Sequence, residues 1–147
     1  MRPLIPRDAP RCESGTQGRP MEKLRAFVIE DSPVVRESLI DALEQEAGVQ
    51  VVGCAAEARV AIEWMDSRTN GCDVVIVDVF LRSGSGFGVL KAIRAYANPP
   101  RRVVLTNYAT PEMRSRCQEL GADAVFDKSS ELEEMLTWFA SRRPSMH

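Results

Sequence analysis

The chain has 147 residues, 44% hydrophobic and 27% charged, a size that suits one domain and lets it bury roughly 70% of the surface its unfolded chain exposes, without staples. Nineteen basic against twenty-one acidic residues give a formal charge of −2, which disfavours a general nucleic-acid binder and predicts no direct nucleic-acid contact. No apolar run approaches the ~18 residues of a membrane span, and the opening MRPLIPRDAP carries three prolines instead of a secretory apolar block, so a cytoplasmic protein with no membrane contact is expected.

Residues 1–22 hold four prolines and four arginines with almost no apolar periodicity, and read as a disordered N-terminal tail. Met21-Glu22-Lys23 opens the ordered pattern, so an over-called gene start is a further expectation, checked by intact mass of the natively expressed protein. Leu24–Ile29 is a short apolar run. A helical pattern follows, with Pro33 in its first turn, Ser32 or Asp31 as cap, and Val34, Val35, Leu39, Ile40 and Leu43 expected inward. Val49–Cys54 is a second strand, and Glu57–Ser67 a helix carrying Val60, Ala61, Trp64 and Met65. Asp73–Val77 is continuously apolar after its first residue, as a strand buried on both faces should be. Phe87–Tyr96 is helical, with Leu90, Ile93 and Ala97 in register and Asn98-Pro99-Pro100 as its stop. Val103–Leu105 is the fourth strand. Thr110-Pro111-Glu112 starts a helix that ends at Leu120-Gly121, where glycine supplies a left-handed cap. Ala124–Phe126 is the fifth strand, and Glu131–Ala140 the last helix, with Leu132, Met135, Leu136 and Phe139 inward. Strict βα alternation predicts an α/β fold over residues 23–141: a doubly wound, five-stranded parallel sheet with helices on both faces, flavodoxin-like. Residues 142–147 are a short C-terminal tail.

None of the four cysteines (Cys12, Cys54, Cys72, Cys117) sits in a C-x-x-C pair, and the one histidine is the terminal His147. Zinc and Cys–His catalysis are thereby excluded, and Cys54 reads as a buried hydrophobe. Chemistry must rest on carboxylates, hydroxyls or lysine. In a parallel sheet all carboxyl ends meet at one edge, where ligands bind. The residues just past the strands are Glu30 and Asp31, Asp78, Thr106 and Lys128. Each has an ordinary structural use: Asp31 beside Ser32-Pro33 as a helix cap, Asp78 in a local turn, Thr106 and Lys128 as structural or solvated groups. Together they say more. Three packed carboxylates repel unless a cation neutralises them, and an oxygen-only cluster favours Mg²⁺. Asp78 is then placed to take a phosphoryl group, with the ion and Lys128 neutralising its oxygens and Thr106 hydrogen-bonding one.

Residues 24–141 resemble the receiver domain of two-component response regulators. The resemblance rests on Glu30-Asp31, Asp78 closing VVIVD, Gly86 eight positions later, Thr106 closing VVLT, the LGAD at Leu120–Asp123, and Lys128. It implies that Asp78 is the phospho-acceptor and that Glu30, Asp31 and Asp78 form a Mg²⁺ pocket completed by the backbone carbonyl of Phe80. It implies that Lys128 contacts the phosphoryl group and that Thr106 moves toward it when the switch turns on. A sensor histidine kinase or a histidine phosphotransfer protein would be the donor, and a further protein the target. The chain would phosphorylate and dephosphorylate itself, without a separate substrate.

The chain also departs from the family pattern. Arg82 and Ser129 stand where prolines are usual, Asn107 where Ala or Gly leaves room for the phosphoryl group, and Val125 where the switch aromatic sits. Phe126 is one position later and so faces the core. Tyr108 is the candidate replacement, an assignment that unchanged signalling by Tyr108→Ala would sink. Only Ser141–His147 follow the last helix, so a stand-alone receiver is expected, acting through surface contact or a homodimer in which Arg114 and Arg116 of helix four pair with Glu131, Glu133 and Glu134 of helix five. Two alternatives stay open: a pseudo-receiver that never uses its pocket, and a nucleotide or phosphate binder using the Arg82–Gly88 glycine loop. A haloacid-dehalogenase-type phosphatase is excluded, because Phe80 stands where a second Asp is needed.

Overall fold

The computed structural model describes residues 23–68 and 71–141; the tails expected at 1–22 and 142–147 lie outside the described residues. Strand and helix alternate: β1 (Arg25–Ile29), α1 (Pro33–Glu46), β2 (Gln50–Ala55), α2 (Ala58–Arg68), β3 (Val74–Val77), α3 (Gly86–Arg94), β4 (Arg101–Thr106), α4 (Pro111–Glu119), β5 (Ala124–Asp127) and α5 (Leu132–Ala140). The strands form one sheet in the order β2-β1-β3-β4-β5, and every pairing is parallel. The order reverses between β1 and β3, and that switch point is where open α/β sheets bind ligands.

The period of two along each strand divides the core. Ala26 and Val28 of β1 join Ile76, Leu105, Leu39, Leu43, Met135 and Phe139 under α1 and α5. Phe27 and Ile29 point the other way and join Val75, Val77, Trp64, Met65 and Ile93 under α2 and α3. The Phe27 ring stacks on Trp64 with centroids 4.2 Å apart. Val104 and Val125 face Leu90 and Cys117 beneath α3 and α4. Val125 and Phe126 thus lie on opposite faces, and Phe126 packs against the α1/α5 core as expected. Cys54, Cys72 and Cys117 are buried thiols that form no disulfide, and burial pushes the Cys72 thiol up to about 12.

The helix signals act as read. Ser32 Oγ accepts the Val35 N–H at 3.3 Å, Thr110 Oγ1 accepts the Met113 N–H at 3.1 Å, and Gly121 closes α4 at φ +105°. Element bounds lie within two residues of the expected ones, and three core expectations fail. Val34, in the first turn of α1, is 77% exposed, and Val35 is only half-buried. Ala97 is exposed because α3 ends at Arg94: Ala95 and Tyr96 donate to carbonyls three residues back, which tightens the chain into a turn well before the prolines. The Tyr96 hydroxyl then donates to Asp66 of α2 at 2.6 Å. Among the described residues no helix is long and apolar enough to cross a membrane.

Candidate functional site

Register builds the site. Ile29 of β1 pairs with Val77 of β3, so the next residues, Glu30 and Asp78, emerge side by side at the switch point. The Asp78 N–H donates to the Ile29 carbonyl at 3.1 Å, and the Glu30 N–H to the Ala55 carbonyl at 3.0 Å. The carboxylates of Glu30, Asp31 and Asp78 each offer an oxygen within 4.8 Å of the others. Glu30 and Asp78 are buried and Asp31 half-buried.

Lys128, just past β5, reaches across the sheet to this cluster. Its Nζ donates to Glu30 Oε1 and to Asp78 Oδ2, both at 2.8 Å. Burial alone would lower the lysine's pKa, but these two bonds and the charges behind them outweigh it and raise it. Burial dominates at Glu30 and raises its pKa, against the opposing pull of Lys128 and of the Ser32 N–H, which donates to Glu30 Oε2 at 3.0 Å. The other oxygen of Asp78, Oδ1, accepts the Phe80 N–H at 3.2 Å. The Arg82 N–H donates to Asp31 Oδ2 at 2.6 Å. Gly86 has to be glycine here: an added Cβ would lie 2.8 Å from Val79 Cα and nearer still to the Asp78 carbonyl oxygen.

The five ionisable or hydroxylic residues singled out from sequence thus gather at one edge, four of them in direct contact or metal-ligand range. Thr106 is fully buried and joins through the backbone, its carbonyl accepting the Lys128 N–H at 2.8 Å. Its hydroxyl accepts the Tyr108 N–H at 3.2 Å. Phe80, 52% exposed, turns its ring to Tyr108, edge to face with centroids 5.3 Å apart. The two aromatics follow Asp78 and Thr106 by two residues each and bridge the loops after β3 and β4. Both positions where the family carries proline use the N–H that proline lacks: Arg82 toward Asp31, and Ser129 toward Asp127 Oδ1 at 2.9 Å.

Two expectations change. Arg114 and Glu131, read as partners across a dimer, pair within the chain: Arg114 Nη2 lies 2.9 Å from Glu131 Oε1. The same guanidinium donates to the carbonyls of Ala109 and Val125, both at 2.9 Å. Arg116 stacks over the Phe87 ring at 4.9 Å. The glycine loop, in turn, has no free amides at the start of α3. The N–H groups of Gly86, Phe87, Gly88 and Val89 are bonded to Val79 O, Ser85 Oγ and Ser85 O, so the helix start is closed to a phosphate of the P-loop kind. Sequence reasoning also missed Arg36, whose Nη1 donates to the Glu30 carbonyl at 2.8 Å; an arginine in the first turns of a helix carries no letter-level signal of that.

A family model, the response regulator receiver domain, matches residues 26–140. The chain is 28% identical over 115 residues to the Fimbriae Z protein of Salmonella typhimurium, covering 78% of this chain and 54% of that protein. It is 33% identical over 116 residues to protein-glutamate methylesterase/protein-glutamine glutaminase 5 of Anaeromyxobacter dehalogenans, covering 78% of this chain and 30% of that protein. The chain therefore spans about half or less of the length of these curated relatives. The signal receiver domain of the putative response regulator NarL from Mycobacterium tuberculosis superposes with a TM-score of 0.73 at 28% identity, covering 82% of this chain and 95% of that one. With five parallel strands in the receiver order and the acidic edge in place, the chain belongs to the response regulator receiver domain family of two-component signalling.

Proposed function

We propose that the chain is a phosphoryl-accepting switch in a two-component or phosphorelay pathway, with Asp78 as acceptor. The observation that carries this is Lys128 Nζ held 2.8 Å from both Glu30 and Asp78 at the sheet's switch point, with Asp31 completing the three carboxylates. A lone buried ion pair would not need the third carboxylate. Glu30, Asp31 and Asp78 suit a hard divalent ion, being oxygen donors without Cys or His. These three would hold Mg²⁺, with the Phe80 carbonyl as the fourth protein ligand. When bound, the ion would neutralise charge on the transferring phosphoryl group.

An Asp78 carboxylate oxygen forms the new O–P bond as the N–P bond of a donor phosphohistidine breaks, its electron pair staying on the imidazole nitrogen. Lys128 lies beside the carboxylate that gains the phosphoryl group and supplies a fixed positive charge there. Thr106 supplies a hydroxyl whose present partner is the Tyr108 N–H, so any move of Thr106 toward the phosphoryl group pulls on the loop carrying Tyr108. This gives Tyr108 the coupling part expected of it, with Phe80 as its contact. Output passes to a protein target by surface contact. The donor is a histidine kinase or phosphotransfer protein, and the location is cytoplasmic.

Intact mass after incubation with Mg²⁺ and a small phosphodonor, wild type beside Asp78→Asn, tests the acceptor. Gain of one phosphoryl group in wild type only is the expected result. Should exposed Asn107 exclude the small donor, transfer from a phosphorylated histidine kinase decides. Failure of both donors would leave a protein-interaction module that never uses its pocket.

A further inference from the structure

Arg114 of α4 closes a ring of hydrogen bonds that begins and ends at the acidic edge. The Thr106 hydroxyl accepts the Tyr108 N–H, and Ala109, next along the loop, gives its carbonyl to Arg114 Nε. Arg114 Nη1 donates to the Val125 carbonyl of β5, and Nη2 to Glu131 Oε1. That same Glu131 oxygen accepts the Asp127 N–H at 2.8 Å. The next residue, Lys128, returns to the Thr106 carbonyl through its own N–H. Thr106 and Lys128 are the two residues that the proposed transfer brings onto the phosphoryl oxygens.

The ring is built to carry a displacement. A guanidinium is planar and presents its donors in a fixed fork, so a pull on Nε turns Nη1 and Nη2 with it. Three elements hang on that one fork: the loop before α4, β5 and the start of α5. Glu131 stands at the N-cap of α5 but makes no side-chain cap bond; its carboxylate serves Arg114 and Asp127 instead. The Arg114 and Glu131 side chains are 35% and 32% exposed, so the pair opens to water at small cost. Val125, at the position of the family's switch aromatic, gives the ring only its main-chain carbonyl.

We propose that the Arg114 fork couples phosphorylation of Asp78 to the start of α5. As Thr106 turns its hydroxyl to the phosphoryl group, the Tyr108–Ala109 loop draws Nε after it and Nη2 leaves Glu131. The freed carboxylate rotates into water and releases the Asp127 N–H. The inference rests on Asp78 being the phospho-acceptor, and adds the path by which its state reaches α5.

Amide exchange of the full chain by NMR, with Mg²⁺ and acetyl phosphate present and intact mass reporting Asp78 occupancy, tests it. On phosphorylation the Asp127 N–H should exchange about tenfold faster, the effect of one lost hydrogen bond. Arg114→Lys keeps a positive charge for Glu131 but not the fork. It should still take the phosphoryl group and respond at the Tyr108 N–H, while the Asp127 rate stays where it was. An unchanged Asp127 rate in phosphorylated wild type overturns the coupling, as does an equal acceleration in Arg114→Lys. Should Arg114→Lys not fold, wild type reads the fork directly: the Arg114 Nε–H should stay protected while the Asp127 N–H speeds up, and loss of the Nε–H protection overturns the proposal. If neither acetyl phosphate nor a phosphorylated histidine kinase loads Asp78, the mass shows it; the acceptor reading then fails and the coupling falls with it.

Discussion

Two glutamates at the same edge of the sheet show what burial does to one kind of interaction. Glu30 accepts Lys128 Nζ at 2.8 Å, and Glu131 accepts Arg114 Nη2 at 2.9 Å. Their acidities move in opposite directions. The Glu30 side chain is 3% exposed, and its desolvation outweighs its hydrogen bonds and raises the pKa. The Glu131 side chain is 32% exposed, and the Arg114 bond, with the Asp127 N–H, lowers its pKa. The second cluster is a staple: one guanidinium ties the loop before α4, the carbonyl of Val125 in β5 and the start of α5. The first is a group of charges that the fold brings together where burial disfavours them, as the proposed cation site requires.

The largest effect should come from removing the buried cation. Lys128→Met leaves Glu30 and Asp78 buried without it, and breaking such a pair costs about 3 kcal/mol. Urea unfolding in chelator should show that loss, and added Mg²⁺ should restore part of it. A loss below that of the staple variant would mean the cluster is already neutralised otherwise. Arg114→Ala should cost about 1.5 kcal/mol, since three part-buried hydrogen bonds go. Glu30→Gln separates the two clusters by sign: with burial disfavouring the charge, the variant should be more stable than wild type at neutral pH in chelator, by about 1 kcal/mol. A destabilised Glu30→Gln would mean the Lys128 bond, not desolvation, dominates.

The fold was legible because alternation, helix caps and the apolar VVIV strand are local signals. The convergence of Glu30, Asp31, Asp78, Thr106 and Lys128 was legible for a topological reason: in a parallel sheet, the residue after each strand ends at the same edge. The opposed faces of Val125 and Phe126 followed from the period of two. What was hidden depends on distances between elements or on the main chain. Arg114 and Glu131 looked like exposed opposite charges on two helices, and only the approach of α4 to β5 turns them into an internal pair. The Arg82 contact to Asp31 is made by a backbone amide; the sequence shows only that no proline forbids it. Val34 was misplaced because apolarity in a first helical turn does not by itself bring burial.

The smallest effect sharpens the comparison most, because it is read as a slope. Glu131 has a folded pKa below its ordinary 4.5, so as pH falls through that value the unfolded chain takes up its proton first. The stability that Glu131 contributes is fully present above its ordinary pKa and drains away as pH falls through the lower folded one. Glu131→Gln should therefore be less stable than wild type near neutrality by under about 1 kcal/mol, a bound set by its partial exposure. The two proteins should converge once pH has fallen below the lowered folded pKa, and added salt should shrink the gap. For Glu30 the order reverses: its folded pKa lies above 4.5, the folded state takes the proton first, and its ionisation opposes folding as pH rises past that value. The gap between wild type and Glu30→Gln should then close toward acid from the opposite side. Denaturant midpoints measured in chelator across this range would give two curves of opposite slope. A constant offset for Glu131→Gln at every pH would show that the variant disturbs packing and that the Arg114 bond is not its cause.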